Sequence, residues 1–315
     1  MKPKNKKLHV SSLLGIQNPR HSLFDFVDVN ISGDQKLFID PCLVSLCKDS
    51  WCKESSRIIN DFFDEFYGAY KLDDYKKKYY LLSHSGEVNY TKLGYGNGRN
   101  GHGNTAEGLI RDFKPLEEFI KKIPTIGSVI DVPLLVLGFN EDGLSDMLTN
   151  IIHNQLNKYT LAQLDKYNIK PNANDTFYAW DADKSSWNLI SEPCYKYTNM
   201  KNEEEKLLLT PKRIVRKKYL FKADHFLKRV ILEREKKATA TKNSKGKIVY
   251  GVTKKELEER IEKNGENWKY DHVVDKIIKK PMLLQEYHDA LDGFYINRGL
   301  SDEDLDTLIY GKNGN

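Results

Sequence analysis

The stretch ESSRIINDFFDEFYGAYKLDDYKKKYYLL, residues 54–82, predicts long helices that supply a large part of the core. Its apolar side chains recur at spacings of three and four, which places them on one face of an α-helix. Charged and polar residues fill the intervening positions, so the opposite face suits water. The predicted core positions are Ile58, Ile59, Phe62, Phe63, Phe66 and Tyr67.

Short apolar runs elsewhere predict strands because breakers of regular structure bound them. KLFIDPCLV at 36–44 and DVPLLVLGF at 131–139 are predicted to be buried strands. TFYAWDADKSSWNLI at 176–190 predicts a hairpin or two strands, and KLLLTPKRIV at 206–215 predicts a strand that runs into a turn.

The remaining periodic stretches predict helices. Residues 106–123 indicate a helix pair broken at Pro115, and residues 146–159 indicate one amphipathic helix. Residues 251–295 are predicted to be helical, whereas ATATKNSKGKIVYG at 238–251 has the composition of a loop.

These elements together predict an α+β (mixed) fold, with a small central sheet flanked by helices and a basic, helical C-terminal region. We place a core domain, which would carry any catalytic site, at 1–205 and a basic interaction region at 206–315. A single larger domain is the alternative, since 315 residues suit either arrangement.

The composition is that of a globular protein without a membrane span. Hydrophobic residues make up 39% of the chain, while 30% charged residues accompany a mean hydropathy of -0.62. No segment approaches the roughly 18 consecutive apolar residues that a membrane span needs. The N-terminal MKPKNKKLHVSSLLG is positively charged but lacks the apolar segment of a signal peptide. We therefore expect a cytoplasmic protein with no membrane partner.

The cysteines give no sign of a metal or redox motif. Cys42, Cys47 and Cys52 are five residues apart, Cys194 lies far along the chain, and no C-x-x-C pair occurs. On a helix, steps of five would scatter the first three over different faces. We interpret all four as ordinary reduced thiols.

Positive charge is concentrated in residues 206–255, the basic segment. It contains 17 Lys or Arg against three acids, a net charge of +14 in a chain whose total is +5. Cations interleaved with aromatic residues suit phosphate contact and base stacking, so nucleic acid is the predicted partner. The alternative is a solvated amphipathic helix whose lysines face water. The candidate nucleic-acid contacts are Lys212, Arg213, Arg216, Lys217, Lys218, Lys222, Lys228 and Arg229.

A glycine-rich stretch, KLGYGNGRNGHGNTAEGLIRDF at 92–113, offers a second candidate for phosphate contact. Glycines let the backbone approach a ligand, and a helix is predicted to follow, so Arg99 and His102 are candidate phosphate ligands. The spacing G-x-G-x-x-G occurs at 96–101, but the residues before it give only a weak strand, and no Walker lysine-serine pair is present. A mobile loop that orders on binding is favoured over a dedicated nucleotide cradle.

Three acids follow the run DVPLLVLGF, at the predicted end of a strand and start of a helix. Glu141, Asp142 and Asp146 supply the oxygen ligands that Mg²⁺ or Mn²⁺ prefers, and Asp142 and Asp146 are the candidate metal ligands. The alternative is that Ser145 or Asp142 caps the helix and Asp146 lies in its first turn.

Several strings in the chain resemble a mostly uncharacterised family of bacterial proteins associated with phage-defence or mobile-element loci. They are FIDP, SGEVN with LGYGNGRNGHG, EDGLSDMLTNII and LLLTPKRIVRK, and the similarity covers residues 37–218. The resemblance implies a setting and no reaction, although defence effectors are commonly nucleases.

A metal-dependent nuclease would need acids for the cation and a lysine for the charge that develops on the phosphate. The chain offers acids followed by a lysine, in the order of restriction-type nucleases, and the candidate catalytic residues are Glu87, Asp142 with Asp146, and Lys212. A Glu-x-Lys pair on one strand is missing at the expected place, because the only such spacing there, at 204–206, lies in a polar run that predicts a turn.

The histidines add weaker candidates. His84 and His102 flank the glycines and could act as a base or a phosphate donor, whereas His153 is predicted to be a packing or surface residue.

Three functions stay open on the sequence alone. The first is a metal-dependent nuclease acting on DNA or RNA in phage defence, with Mg²⁺ or Mn²⁺ as cofactor. The second is a non-catalytic nucleic-acid-binding or scaffold subunit of a defence complex, which would act with other proteins of that system. The third is a nucleotide-binding or nucleotide-modifying protein that uses the glycine-rich stretch.

Overall fold

The computed structural model describes residues 8–86, 90–95, 105–199, 202–296 and 299–311. Helices dominate, and short antiparallel strand pairs lie among them, which confirms the mixed α+β class. The helices are α1 Val10–Leu13, α2 Pro41–Leu46, α3 Ser50–Lys71, α4 Tyr75–Leu82, α5 Ala106–Asp112, α6 Pro115–Lys122, α7 Asp131–Leu135, α8 Glu141–Ile151, α9 His153–Asp165, α10 Ala223–Phe226, α11 Leu232–Ala238, α12 Lys254–Arg260, α13 Trp268–Lys279, α14 Met282–Tyr295 and α15 Asp302–Ile309.

The strands form four separate two-stranded antiparallel sheets. Short 3₁₀ turns occur at His21–Leu23 and Lys212–Ile214, and a π-helical turn at Leu227–Ile231 joins α10 to α11. The strand pairs are β1 Phe38–Ile39 with β6 Val215–Arg216, β2 Ala173–Asp181 with β3 Ser186–Cys194, β4 Lys196–Thr198 with β5 Glu204–Lys206, and β7 Ala240–Lys242 with β8 Ile248–Tyr250.

Helix α3 is the centre of the fold, as the spacing of its apolar residues predicts. It begins at a cap in which Asp49 accepts a hydrogen bond from the Cys52 amide at 2.8 Å. All six predicted core positions on it are buried. Phe62 packs edge-on against Trp180 and Trp187, with ring centroids 5.0 and 5.7 Å apart, so α3 supports the hairpin of β2 and β3.

That hairpin is confirmed over nine residues on each strand, with Trp180 opposite Trp187. The broken helix pair is also confirmed, since α5 ends at Asp112 and α6 begins at Pro115. Proline suits the first helical position because it lacks an amide hydrogen that would have no partner there.

The two predicted buried strands at 36–44 and 131–139 are wrong over most of their length. Only Phe38 and Ile39 form a strand, because Asp40 caps α2 and Pro41 opens it. The second run forms the short helix α7, in whose first turn Asp131 and Pro133 are tolerated. Short apolar runs lack the periodicity that distinguishes a buried strand from a buried helix.

The single helix predicted at 146–159 is two helices. α8 ends at Ile151 and α9 begins at His153, and Ile152 between them departs from helical geometry at φ -97° and ψ 23°. The apolar residues Met147, Ile151 and Leu156 are buried as the pattern requires.

Two stretches predicted as a loop and a turn form strands. In 238–251, β7 and β8 pair around a turn in which Gly246 takes φ +74°. Residues 204–206 form β5, and the apolar run predicted as a strand after it is buried without being a strand.

One hydrophobic cluster includes buried residues from Val10 to Ile309, so 1–205 and 206–315 both contribute to it. The boundary between these two regions stays a prediction. Side chains of the last helices reach back to the start of the chain: Tyr310 donates to Asp28 at 2.6 Å. Among the described residues, no helix is long and apolar enough to cross a bilayer.

Candidate functional site

The hairpin of β7 and β8, called here the basic hairpin, is the most exposed regular element of the basic segment. Every residue from 240 to 250 is exposed, so the hairpin projects from the body of the protein. Ile248, Val249 and Tyr250 are 55%, 40% and 42% exposed, which is unusual for three consecutive apolar residues. Because side chains alternate along a strand, these apolar side chains are exposed on both faces of the ribbon.

Hydrogen bonds close the turn at the tip of the basic hairpin. The Asn243 side chain accepts hydrogen bonds from the amides of Lys245 and Lys247, both at 3.0 Å. The Gly246 amide donates to the Asn243 carbonyl at 2.9 Å. Asparagine and glycine suit this turn because one satisfies nearby amides and the other adopts positive φ.

The root of the basic hairpin is fixed to α11. The Gly251 amide donates to the Thr239 hydroxyl at 3.1 Å, and the Lys236 ammonium lies 4.3 Å from the centre of the Tyr250 ring. The ribbon is therefore a defined element at the end of a helix.

The charge around the basic hairpin has one sign. Residues 236–255 contain seven lysines and no acid. Lys242, Lys245 and Lys247 are exposed on the ribbon itself, and none of the three forms a salt bridge with any residue that the structure describes. Their charge is thus available to an external anion.

Several cations nominated from the sequence are instead held by the protein. Lys212 donates to the His21 carbonyl at 2.8 Å and to Asp302 at 2.6 Å, which ties its ammonium to the start of α15. Arg213 Nε lies 2.7 Å from Asp49 Oδ2. These contacts give both residues a role in packing.

Arg216 and Lys228 also lie beside carboxylates. Arg216 Nε is 3.8 Å from Asp40, which is completely buried, and Lys228 Nζ is 3.0 Å from Asp224 on the same helical face. The net charge of +14 therefore overstates what the basic segment can offer to a ligand.

Four other cations predicted from the sequence to contact nucleic acid remain exposed: Lys217, Lys218, Lys222 and Arg229. None of the four forms a salt bridge with the described parts of the chain, although Arg229 lies over the Phe294 ring at 5.7 Å.

The acids of α8 do not cap it. Asn140 is the cap and accepts from the amides of Asp142 and Gly143 at 3.1 and 3.3 Å. Glu141 and Asp142 lie in the first turn, so the expected cap at Ser145 or Asp142 is wrong. Ser145 instead accepts from the Ile39 amide at 3.0 Å.

The structure places the start of the glycine-rich stretch against these acids. Asp142 Oδ1 is 2.8 Å from the position that a Cβ on Gly94 would occupy, and Tyr95 donates to Glu141 at 3.3 Å. Burial and the Glu141 carboxylate raise the pKa of Tyr95 to about 12. Two candidates that are about fifty residues apart in sequence thus lie side by side in the fold.

Three nominated residues, Glu87, Arg99 and His102, lie outside the described residues. Gly86, which precedes Glu87, accepts a hydrogen bond from Asn150 of α8 at 2.6 Å. Within the described residues, neither Asp142 nor Asp146 belongs to a group of three ligand atoms that lie within 4.8 Å of one another.

The Glu-x-Lys spacing at 204–206 lies on β5, but its lysine is buried. Lys206 is 3.1 Å from Asp175 and 2.9 Å from His153 Nε2, and its ammonium lies over the Phe177 ring at 3.6 Å. Burial, with a smaller effect of Lys206, lowers the pKa of His153 to about 3, so this histidine is neutral and packed. His84 stacks on Tyr178 with centroids 3.6 Å apart.

A histidine and an aspartate that the sequence does not single out lie in contact, and the histidine, His288, lines a cavity of about 180 Å³. His288 Nε2 lies 2.7 Å from Asp131 Oδ1, and Asp131 Oδ2 accepts from the amides of Gly127 and Ser128 at 3.0 and 2.9 Å. Burial alone would lower the pKa of His288, but the Asp131 carboxylate raises it. The two residues are 157 positions apart, and no local pattern connects them.

Comparison with known proteins adds one match. A family model described as a domain of unknown function (DUF8370) matches residues 15–222, about two thirds of the chain. No curated protein and no solved structure matches the chain. The matched residues include the acids of α8 and end before the basic hairpin.

Proposed function

The chain belongs to the DUF8370 family, whose description names no function, and we propose from its geometry that it binds double-stranded DNA. The observation that carries the proposal is the basic hairpin, an exposed two-stranded ribbon with three lysines that have no described ion pair. Phosphates would supply the missing counter-charge, and released counterions would drive the binding.

The shape of the basic hairpin favours a duplex. The major groove of B-form DNA admits a two-stranded β-ribbon, whereas the deep, narrow major groove of A-form RNA excludes side chains. On such a ribbon Lys242, Lys245 and Lys247 would contact phosphates, and the exposed Ile248, which pairs with Lys242 on one face of the ribbon, would contact thymine methyl groups or sugars.

The proposal is tested by equilibrium binding of the full chain to a duplex DNA, the corresponding single strand and a duplex RNA of equal length. We expect the duplex DNA to bind most tightly. Equal binding of the three would reject groove recognition by the ribbon, and tighter binding of the single strand would favour base stacking instead.

A metal-dependent nuclease is the second candidate, and the juxtaposition of Gly94 and Tyr95 with Glu141 and Asp142 favours it. Mg²⁺ or Mn²⁺ would be held by Asp142 and Asp146, which lie one helical turn apart on α8. Lys212 is a weaker part of this candidate, because Asp302 already holds its ammonium.

Substitution of Asp142 or Asp146 by Asn tests the nuclease without removing the helix cap, since Asn140 caps α8. Plasmid, single-stranded DNA and RNA are incubated with each protein and with Mg²⁺, Mn²⁺ or a chelator. A nuclease at this site predicts cleavage by the parent that the chelator and both substitutions abolish. Folded variants that retain full cleavage would place the chemistry elsewhere. The phage-defence setting and the partners that it implies stay predictions from resemblance.

A further inference from the structure

The corner between α2 and α3 gathers three metal-ligating side chains. Cys47 ends α2, Asp49 caps α3, and Cys52 lies in the first turn of α3. One ligand atom from each lies within 4.8 Å of the other two, and Cys47 Sγ is 3.1 Å from Asp49 Oδ2. We propose that Cys47, Asp49 and Cys52 bind a zinc-class divalent cation.

The backbone holds the carboxylate for this role. Asp49 Oδ1 accepts from the Cys52 amide at 2.8 Å, which leaves Oδ2 facing the Cys47 thiol. Zinc binds sulfur at about 2.3 Å and carboxylate oxygen at about 2.0 to 2.2 Å, so tetrahedral ligand atoms lie roughly 3.5 to 3.8 Å apart. To reach this geometry the pair Cys47 Sγ and Asp49 Oδ2, now 3.1 Å apart, would open by about 0.4 Å, and any pair near the 4.8 Å limit of the cluster would close by about 1 Å.

Arg213 Nε lies 2.7 Å from Asp49 Oδ2, so a bound cation would share this oxygen with the guanidinium. Two thiolates and one carboxylate on a divalent ion leave one negative charge, which Arg213 would then offset. The Arg213 guanidinium also lies over the Trp51 ring at 5.9 Å, which fixes its position.

The thiolate, not the thiol, is the metal ligand, so binding of the cation would release the thiol protons of Cys47 and Cys52.

The ligand types select the metal and leave it one open position. Thiolates favour Zn²⁺ and its relatives over Mg²⁺ or Mn²⁺. Cys52 is buried, whereas Cys47 is half-buried and Asp49 exposed, so a fourth ligand would come from the solvent side. Three protein ligands and one water are the arrangement of an open zinc site.

The test uses the reduced full-length chain, first treated with a chelator and then titrated with Zn²⁺ and with Co²⁺. We expect one equivalent of Zn²⁺ to bind and the Co²⁺ protein to show thiolate-to-cobalt charge-transfer absorption in the near ultraviolet. Cys47→Ser and Asp49→Asn should weaken Zn²⁺ binding by about tenfold or more. Asn at position 49 keeps the helix cap, so that variant should remain folded.

Cys42→Ser is the matched control, because Cys42 lies outside the cluster and should leave Zn²⁺ binding unchanged. Circular dichroism establishes that each variant is folded. Folded parent protein that binds no Zn²⁺, or Cys47 and Asp49 variants that bind it like the parent, would overturn the proposal. So would a Co²⁺ spectrum without charge-transfer absorption. None of these results depends on DNA binding.

Discussion

The buried carboxylate of Asp40 makes the stability of the protein depend on pH. Asp40 is completely buried, caps α2 through the Cys42 amide at 2.9 Å, and accepts from Tyr295 at 2.8 Å. Burial raises the pKa of Asp40 from 3.8 to about 7, although the hydrogen bonds and Arg216 oppose the rise. The carboxyl group is therefore neutral in the folded protein below about pH 7 and ionised in the unfolded chain above about pH 4.

The sign of the effect follows from proton binding. Between about pH 4 and about pH 7 the folded state holds a proton that the unfolded state has lost, so the free energy of unfolding falls as pH rises. The difference between pKa values of 3.8 and about 7 corresponds to about 4 kcal/mol over the whole range. Between about pH 5 and about pH 8 the expected loss is about 2.5 kcal/mol.

Asp40→Asn removes this dependence and keeps the helix cap, because asparagine caps about as well as aspartate and carries no charge. We expect the unfolding free energy of the variant, relative to the parent, to rise by about 2.5 kcal/mol between about pH 5 and about pH 8. Urea unfolding followed by circular dichroism measures it at several pH values. Other titrating groups are shared by both proteins and cancel in the difference.

Tyr295→Phe provides a second test, since the Tyr295 hydroxyl lowers the pKa of Asp40. Loss of this hydroxyl should raise the pKa of Asp40 further, so the fall in the free energy of unfolding should extend to higher pH. A difference between Asp40→Asn and the parent that stays constant with pH would refute the reasoning, because Asp40 would then have an ordinary pKa.

Two further predictions concern packing. Gly94→Ala should destabilise the protein by about 1 to 3 kcal/mol, because Gly94 takes φ +141° and an added Cβ would lie 2.8 Å from Asp142 Oδ1. Urea unfolding measures this change, and an unchanged midpoint of unfolding would contradict the placement of Gly94. Phe62→Ala should lower the free energy of unfolding by about 3 to 5 kcal/mol, because Phe62 is fully buried against Trp180 and Trp187. The near-ultraviolet circular dichroism of the two tryptophans should weaken, and an unchanged signal with the stability of the parent would argue against that packing.

The sequence predicts those parts of the fold in which the pattern has a clear period. Helix α3 repeats its apolar residues at helical spacing over many turns, and the strands around Trp180 and Trp187 alternate, so both are confirmed. The run at 132–137 is continuously apolar and too short to show a period, which is why α7 is missed. The break at Ile152 depends on tertiary packing that no local pattern records.

The candidate sites show the same limit. The concentration of lysines is visible in the sequence. The sequence does not show that Asp302 pairs with Lys212 and Asp49 with Arg213, because these acids come from distant parts of the chain. The contact of Asp131 with His288 is likewise created by folding alone. By contrast, the cluster of Cys47, Asp49 and Cys52 lies within six residues, and its spacing C-x-D-x-x-C is a local signal that a search for C-x-x-C passes over.

The most direct test of DNA binding by the basic hairpin is the salt dependence of duplex affinity for the parent and for the triple variant Lys242→Ala, Lys245→Ala and Lys247→Ala. The control is Lys122→Ala, Lys170→Ala and Lys279→Ala, which removes the same charge from exposed lysines that each pair with an acid. If each hairpin lysine contacts one phosphate, the slope of log affinity against log salt should become shallower by about 2.7 in the hairpin variant. The control should keep the slope of the parent. A hairpin variant that binds duplex DNA with the affinity and slope of the parent would contradict the proposed function.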